Sequence, residues 1–413
     1  MKPDSPRETR ADRRWNFGAA LIDACGWNTG VAFISHLTIL PLFVKQLTPS
    51  PVAIGMIPAL MLFGWLVPGV LVASRIERLR NVRYWVLGVG LLERLMLLVL
   101  AVLCWGFSES RSALLLAFFG CWLVMNLALG ANLPAYYKLI AKTIPAARRG
   151  RLYGLGGAAA GVLGLGCAVL AERFIGAWGF PNGYAACFLA AFVIQTVTLL
   201  PLGVMREVIP EEHEIPPPEP VRKALSLVRR DSRILWLCIG VALFALNQMA
   251  GAFYTDFAIT GLGASERTVA EYNQVLNVGR AVTYLLIGWL ADRYGNLRAI
   301  QLATFAGLGA VSLAWGADGP LWMHPVFLLN ELALQGWAVC AQNYVLELCP
   351  PQRSGTYTAV FNLFSGPFRV LLPLAAGSMI SAVGFSPIFA AGAVGTALAL
   401  GLVLWRLPEP RAG

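Results

Sequence analysis

Charge is what this chain has least of. Only 13% of its 413 residues are Asp, Glu, Lys or Arg, against about 25% in soluble domains. Hydrophobic residues make up 57%, and the mean hydropathy is +0.65. Such a shortage of charge excludes a chain folded around one core in water and makes the lipid bilayer its solvent. Histidine is scarce, at three residues, and the eight cysteines form no C-x-x-C pair. The cysteines all fall within apolar runs or at their ends. They read as small packing residues, so neither a metal centre nor a disulfide framework is expected. No Walker loop, nucleophile elbow, H-E-x-x-H or dinucleotide fingerprint occurs, which leaves ATP-driven transport, familiar hydrolytic chemistry and a bound cofactor without support. The protein is expected not to be an enzyme.

What is present in abundance is long apolar runs. About 20 apolar residues carry a helix across some 30 Å of hydrocarbon at 1.5 Å per residue. Twelve runs of that kind lie near 17–45, 52–73, 84–106, 112–136, 153–175, 183–205, 234–261, 267–291, 299–317, 322–348, 356–382 and 386–406. Barrel strands alternate apolar and polar residues over about 10 positions, and these runs are longer and nearly continuous. The predicted fold class is an all-α integral membrane protein of twelve transmembrane helices.

A net charge of +10 invites a nucleic-acid reading, but the placement of the cations answers it. With the N-terminus inside, one side of the membrane collects Arg7, Arg10, Arg13, Arg14, Arg75, Arg78, Arg80, Arg83, Lys138, Lys142, Arg148, Arg149, Arg151 and their counterparts after residue 205. The other side holds only Lys45, Arg111, Arg173 and Arg267. This asymmetry puts both termini in the cytoplasm, consistent with an even number of spans. No nucleic-acid partner is expected. The first apolar run is too long for a signal-peptide core of 7 to 15 residues, and reads as an uncleaved helix.

Proline and acid concentrate in 206–220, a semi-extended linker. Residues 221–231 then place Val221, Leu225 and Val228 opposite Arg222, Lys223, Arg229 and Arg230, a pattern that fits either a surface-lying helix or a solvated loop. The resulting organisation is a cytoplasmic segment 1–16, a six-helix bundle 17–205, a linker 206–232, a second six-helix bundle 233–406 and a tail 407–413.

Two sequence echoes relate the bundles. Gly288, Asp292, Arg293, Gly295 and Arg298 punctuate the turn after the eighth span, and the turn after the second span keeps Arg75 and Arg80 of the same pattern but has Ser74 and Glu77 in place of the aspartate and glycine. Pro145, Arg148 and Gly150 before the fifth span likewise align with Pro350, Arg353 and Gly355 before the eleventh, as parallel repeats require. The pattern G-x-x-x-D-R-x-G-x-x-R, its repetition, the topology and the central linker resemble the major facilitator superfamily, of bacterial type, over nearly the whole chain. The resemblance implies a secondary transporter of the plasma (inner) membrane, acting as a monomer by alternating access, with the charged turns serving as a cytoplasmic gating latch.

Ionisable side chains inside a bilayer cost about 2.5 to 3.5 kcal/mol each and normally face partners or water. Asp23, Glu93, Arg94, Arg280, Glu331 and Arg369 lie deep. Residues at i, i+4 and i+7 share a helix face, which groups Asn277 with Arg280, Glu331 with Gln335, and Asn362 with Arg369. Trp122 and Asn126 in the fourth span, Asn247 and Tyr254 in the seventh, and Trp27 and Asn28 in the first join them as candidate cavity residues. The resemblance implies that spans 1, 4, 7 and 10 line the central path. Polar side chains also bind helices to one another, and the amides fit that role equally. Glu93 and Arg94, on a span peripheral in the family, are expected to form a structural ion pair. Coupling to protons requires a carboxyl group whose affinity for a proton changes between states, and Glu331 and Asp23 are the candidates. The predicted function is transport of a small organic solute or drug-like compound, with uptake and efflux both open. A transport-inactive receptor or scaffold on the same fold is the alternative.

Overall fold

A computed structural model describes residues 10–106, 110–207, 232–348 and 354–409. The linker between 208 and 231, with its basic amphipathic stretch, lies outside the described residues. The N-terminal half contains α1 (Arg10–Val31), α2 (Ile39–Leu47), α3 (Pro51–Arg78), α4 (Arg83–Gly106), α5 (Arg111–Thr143), α6 (Ala146–Trp178) and α7 (Asn182–Leu199). The C-terminal half contains α8 (Ser232–Gly251), α9 (Tyr254–Thr260), α10 (Glu266–Tyr294), α11 (Asn296–Trp315), α12 (Met323–Leu348), α13 (Ser354–Val383) and α14 (Ser386–Trp405). Among the described residues there is no strand.

Among the described residues, fourteen α-helices make twelve spans because the first and seventh are each broken. The first divides between α1 and α2 around Ser35, whose carbonyl accepts from both Thr38 and Leu40. The seventh divides between α8 and α9 at Ala252–Phe253. Ten spans are apolar enough to cross a membrane on hydropathy alone. The other two, α10 and α12, are long enough at 29 and 26 residues, but they carry the Arg280 and Glu331 charges that lower their hydropathy.

The halves repeat in their packing as well as in sequence. In the N-terminal half α3 packs on α5, α4 on α5 and α7, and α1 on α6 and α7; in the C-terminal half α10 packs on α12, α11 on α12 and α14, and α8 on α13 and α14. Each pairing in one half has its counterpart six spans later. Between the halves, α3 lies against α13 and α6 against α10, a symmetric pair of seams. The second seam needs small residues: a Cβ on Gly161 would stand 2.5 Å from the Ala281 Cβ, and one on Gly157 3.1 Å from the Tyr284 ring. Glycines therefore allow α6 and α10 to cross closely.

Buried apolar side chains form three clusters. The largest joins both halves, uniting Phe43, Phe118, Trp122 and Phe188 with Phe253, Tyr254, Tyr272, Phe327 and Phe389. The other two stay within one half each, Val86, Leu139, Leu152 and Leu202 in the first and Leu237, Ile300, Trp337 and Tyr344 in the second. The shared cluster is at the end of the bundle away from the chain termini. At the terminal end the halves have separate cores.

Candidate functional site: a charged cavity and a sealed end

A cavity of about 350 Å³ opens inside the N-terminal half. Asp23, Trp27 and Asn28 reach it from α1, Trp65 from α3, Glu93 and Arg94 from α4, Asn132, Tyr136 and Tyr137 from α5, and Tyr153 from α6. Val86, Leu199 and Leu202, which also belong to the terminal-end core, complete its wall. Tyr137 is 56% and Tyr153 40% exposed, so the mouth lies on their side.

The polar end of the cavity is a triad. Arg94 sits between two carboxylates, with Nη2 3.4 Å from Asp23 Oδ1 and Nη1 3.5 Å from Glu93 Oε2. Its Nε donates to the Gln195 carbonyl and its Nη1 to the Gly90 carbonyl, each at 2.8 Å. Trp27 Nε1 donates to Glu93 Oε1 at 2.8 Å. All three charged side chains are buried. Glu93 and Arg94 form the ion pair expected from sequence, and together with Asp23 they make the cavity's charged end. Asn28 also lines it, while its amide donates to the Ala24 carbonyl at 2.8 Å. Asn132 is a cavity residue that sequence reasoning did not single out.

A second polar group forms between α10 and α12. Arg280 Nε donates to Glu331 Oε1 at 2.9 Å, Gln335 Nε2 to the same oxygen at 3.0 Å, and the Tyr284 hydroxyl lies 3.3 Å from Gln335 Oε1. Arg369 pairs with a different element, its Nε donating to Gln248 Oε1 on α8 at 3.1 Å. Asn362 is half-buried on α13.

The remaining candidates hold helices together. Trp122 Nε1 donates to the Ile57 carbonyl at 2.9 Å, and Asn126 Oδ1 accepts from Trp65 Nε1 at 3.1 Å, which ties α5 to α3. Asn247 donates to the Gly307 carbonyl at 2.8 Å. Tyr254 packs edge-on against Phe327 in the shared core. Asn277 donates to the Asn273 carbonyl, and Asn273 in turn donates across to the Ala32 carbonyl of the first span, both at 2.8 Å.

At the sealed end a band of polar contacts joins the halves. Lys45 on α2 pairs with Asp256 on α9, and the Thr255 hydroxyl donates to the Leu37 carbonyl. Gln46 donates to Glu266, Gln274 donates to Glu172 at 2.6 Å, and Arg267 stands 3.7 Å from Glu172. Asp256, only 1% exposed, was not among the deep residues recognised in sequence. It lies near the end of its span, where a carboxylate reads as interfacial.

At the terminal end the charged turns are fastened within their own halves. Gly295, at φ +93°, would drive a Cβ to 2.5 Å from the Glu409 carboxylate, which places that tail carboxylate at the N-terminus of α11. Asn296 donates to Glu347 at 3.0 Å, Arg293 lies over the Trp289 and Tyr294 rings, and Arg298 donates to Gln301 at 3.2 Å. Gly288 is open around its Cα, and Asp292 is exposed. In the first half Glu207 takes the equivalent place, accepting from the Val82 and Arg83 backbone amides at the start of α4. Lys138 and Lys142 donate to the Ile76, Leu79 and Arg80 carbonyls at the end of α3. Arg75 is exposed on the same turn. Anion at helix start and cation at helix end match the helix dipole.

The sequence profile of the Major Facilitator Superfamily matches residues 17–369 and 281–413. The chain belongs to that superfamily. No curated protein matches it in sequence. Among solved structures, a D-xylose-proton symporter is similar with a TM-score of 0.70 at 15% identity, over 98% of this chain and 100% of that one. A point variant of the nucleoside transporter NupG has a TM-score of 0.68 at 12% identity, over 95% and 98%. A bacterial homologue of the human lysosomal transporter Spinster has 0.60 at 16%, over 96% and 95%. At these identities the likeness establishes the superfamily fold of multi-pass membrane transporters.

Proposed function

We propose that the protein is a secondary active transporter that moves a small organic solute across the plasma (inner) membrane by alternating access, coupled to protons. The supporting observation is the asymmetry of its seals. One end is closed by a core and a polar band common to both halves; the other has a core in each half and a charged cavity beside it. With the termini in the cytoplasm, as the cation distribution favours, this is an inward-facing state. The α3–α13 and α6–α10 seams serve as the surfaces on which the halves rock.

Proton coupling rests on carboxylates held by arginines. Asp23 and Glu93 share Arg94, and Glu331 holds Arg280. Protonating a carboxylate removes its attraction for the guanidinium, freeing a cation inside the bundle to rearrange. The solved relatives named for a nucleoside and for D-xylose with a proton support solute transport as the class. Purified protein in proteoliposomes, screened against a solute panel with and without an imposed pH gradient, tests the reading. Accumulation driven by the gradient and abolished by a protonophore is expected. Solute binding without flux under any gradient overturns it in favour of a receptor.

A further inference from the structure

The charge balance of the N-terminal cavity is incomplete. Two carboxylates, Asp23 and Glu93, face a single guanidinium, that of Arg94, so with both acids ionised the buried site carries one excess negative charge. Arg94 spends its Nε and part of Nη1 on the Gln195 and Gly90 carbonyls, and its contacts to the carboxylates are the long ones. A buried excess charge attracts a counterion strongly in a medium of low dielectric.

A second observation narrows what that counterion is. Asn132, 6% exposed, lines the cavity with its Oδ1 buried and without a hydrogen-bond partner, while its Nδ2 reaches the Val86 carbonyl at 3.4 Å. A buried acceptor left alone calls for a donor. Trp27, Trp65, Tyr136, Tyr137 and Tyr153 supply the wall, and aromatic faces attract cations and stack on flat apolar bodies. A bare divalent ion fits badly, since it requires six or more oxygen ligands and no metal-holding group of three or more residues occurs among the described residues.

We propose that this cavity binds a protonated primary or secondary amine carried on an aromatic or apolar body, its ammonium between Asp23, Glu93 and Asn132 Oδ1 and its body against the aromatic wall. The proposal names the substrate class for the transporter described above and rests on that reading. A solute anion is repelled by the excess charge. A neutral polyol meets mostly rings and aliphatic side chains.

The test is calorimetric binding to the purified full-length protein with three probes of one shape: 2-phenylethylamine, 2-phenylethanol and phenylacetate. The amine is expected to bind at least about tenfold more tightly than the alcohol, a factor set by one charge-assisted contact, and the carboxylate not at all. Asp23→Asn and Glu93→Gln are each expected to weaken the amine by about tenfold or more, and Asn132→Leu by a smaller factor, without improving the alcohol. Protons compete for the same carboxylates, so amine affinity falls as the pH is lowered. The charged and titratable groups facing the pair are Arg94 from α4, Tyr136 and Tyr137 from α5 and Tyr153 from α6. The probe series on the native protein decides the matter if the variants do not fold. Equal affinity for amine and alcohol, or amine binding unchanged in all three variants, overturns the proposal. Gradient-driven flux of a neutral solute with no amine binding overturns it while leaving transport in place. Amine binding of the expected pattern without any flux sustains the site and overturns transport.

Discussion

Glu331 accepts two hydrogen bonds at one oxygen, from Arg280 and Gln335, and is 1% exposed. Replacing it with Gln keeps the shape but leaves the Arg280 charge buried without an anion, which typically costs about 3 kcal/mol. Glu331→Gln is therefore expected to unfold at lower temperature in detergent, and to flatten the pH dependence of transport in proteoliposomes. The pair Arg280→Met with Glu331→Leu removes both charges and is expected to regain most of the stability while remaining insensitive to pH. Proton-driven transport with an unaltered pH profile in Glu331→Gln would remove this residue from coupling. The polar stripes that carry Arg280 and Glu331 were legible in sequence, because each residue repeats at helical spacing with amides; which arginine faces Glu331 was not. Of the N-terminal triad, the Glu93–Arg94 pair was expected and its union with Asp23 was not. Adjacent residues on a helix point about 100° apart, so Glu93 and Arg94 do not announce a common face. It is the long arginine stem that brings the guanidinium back between Glu93 and Asp23. Trp122 and Asn126 show the converse: their stripe is real but turns toward α3, since a seam between helices and a wet cavity both favour polar residues at the same spacing.

At the scale of elements, glycine spacing on α6 sets the approach of α10. Gly161→Val is expected to push the helices apart, because its Cβ would stand 2.5 Å from Ala281 Cβ and 2.9 Å from its Cα. Overpacking of this kind costs about 1 to 3 kcal/mol and here falls on a surface between the halves. A lower melting temperature together with slower transport is expected, whereas Gly166→Ala, with nothing within 4 Å of its Cβ, is expected to match the native protein in both. Equal loss in the two variants would count against the seam. A second element-scale device is the acidic cap that follows the first half's last span. Glu207 accepts from two backbone amides at the start of α4 and from Lys142 at 2.6 Å. Glu207→Ala is expected to cost about 1 to 2 kcal/mol of stability, the usual range for losing a helix cap, measurable as a shift in the denaturation midpoint. Spans were readable from apolar length alone. The breaks between α1 and α2 and between α8 and α9 were not, since both interrupt runs that remain apolar through the break.

The two halves of the whole molecule are related by repeat, and that relation was visible in the charged turns before any packing was seen. Which end is closed was not visible, because one set of residues must serve both the sealed and the open state, and hydrophobic pattern does not distinguish them. The sealed end depends on contacts that exist only while the halves meet there, with Lys45–Asp256 the most deeply buried charge pair among them. A contact made in one state alone shifts the equilibrium by its whole free energy, and about 1.4 kcal/mol shifts it tenfold. Asp256→Asn retains the size of the side chain and removes its charge. The variant is therefore expected to populate an arrangement open at this end more than the native protein does. Spin labels at the sealed ends of α6 and α11 read the change as a longer distance component in pulsed dipolar spectra, with labels at the chain-terminal ends of α3 and α12 shortening in step. With the seams α3–α13 and α6–α10 as the surfaces on which the halves rock, labels across them are expected to hold their distance. A spectrum in which the pair at the sealed end lengthens while the pair at the chain-terminal end stays fixed would mean that the end has frayed locally, and that the halves do not move as two bodies around the cavity.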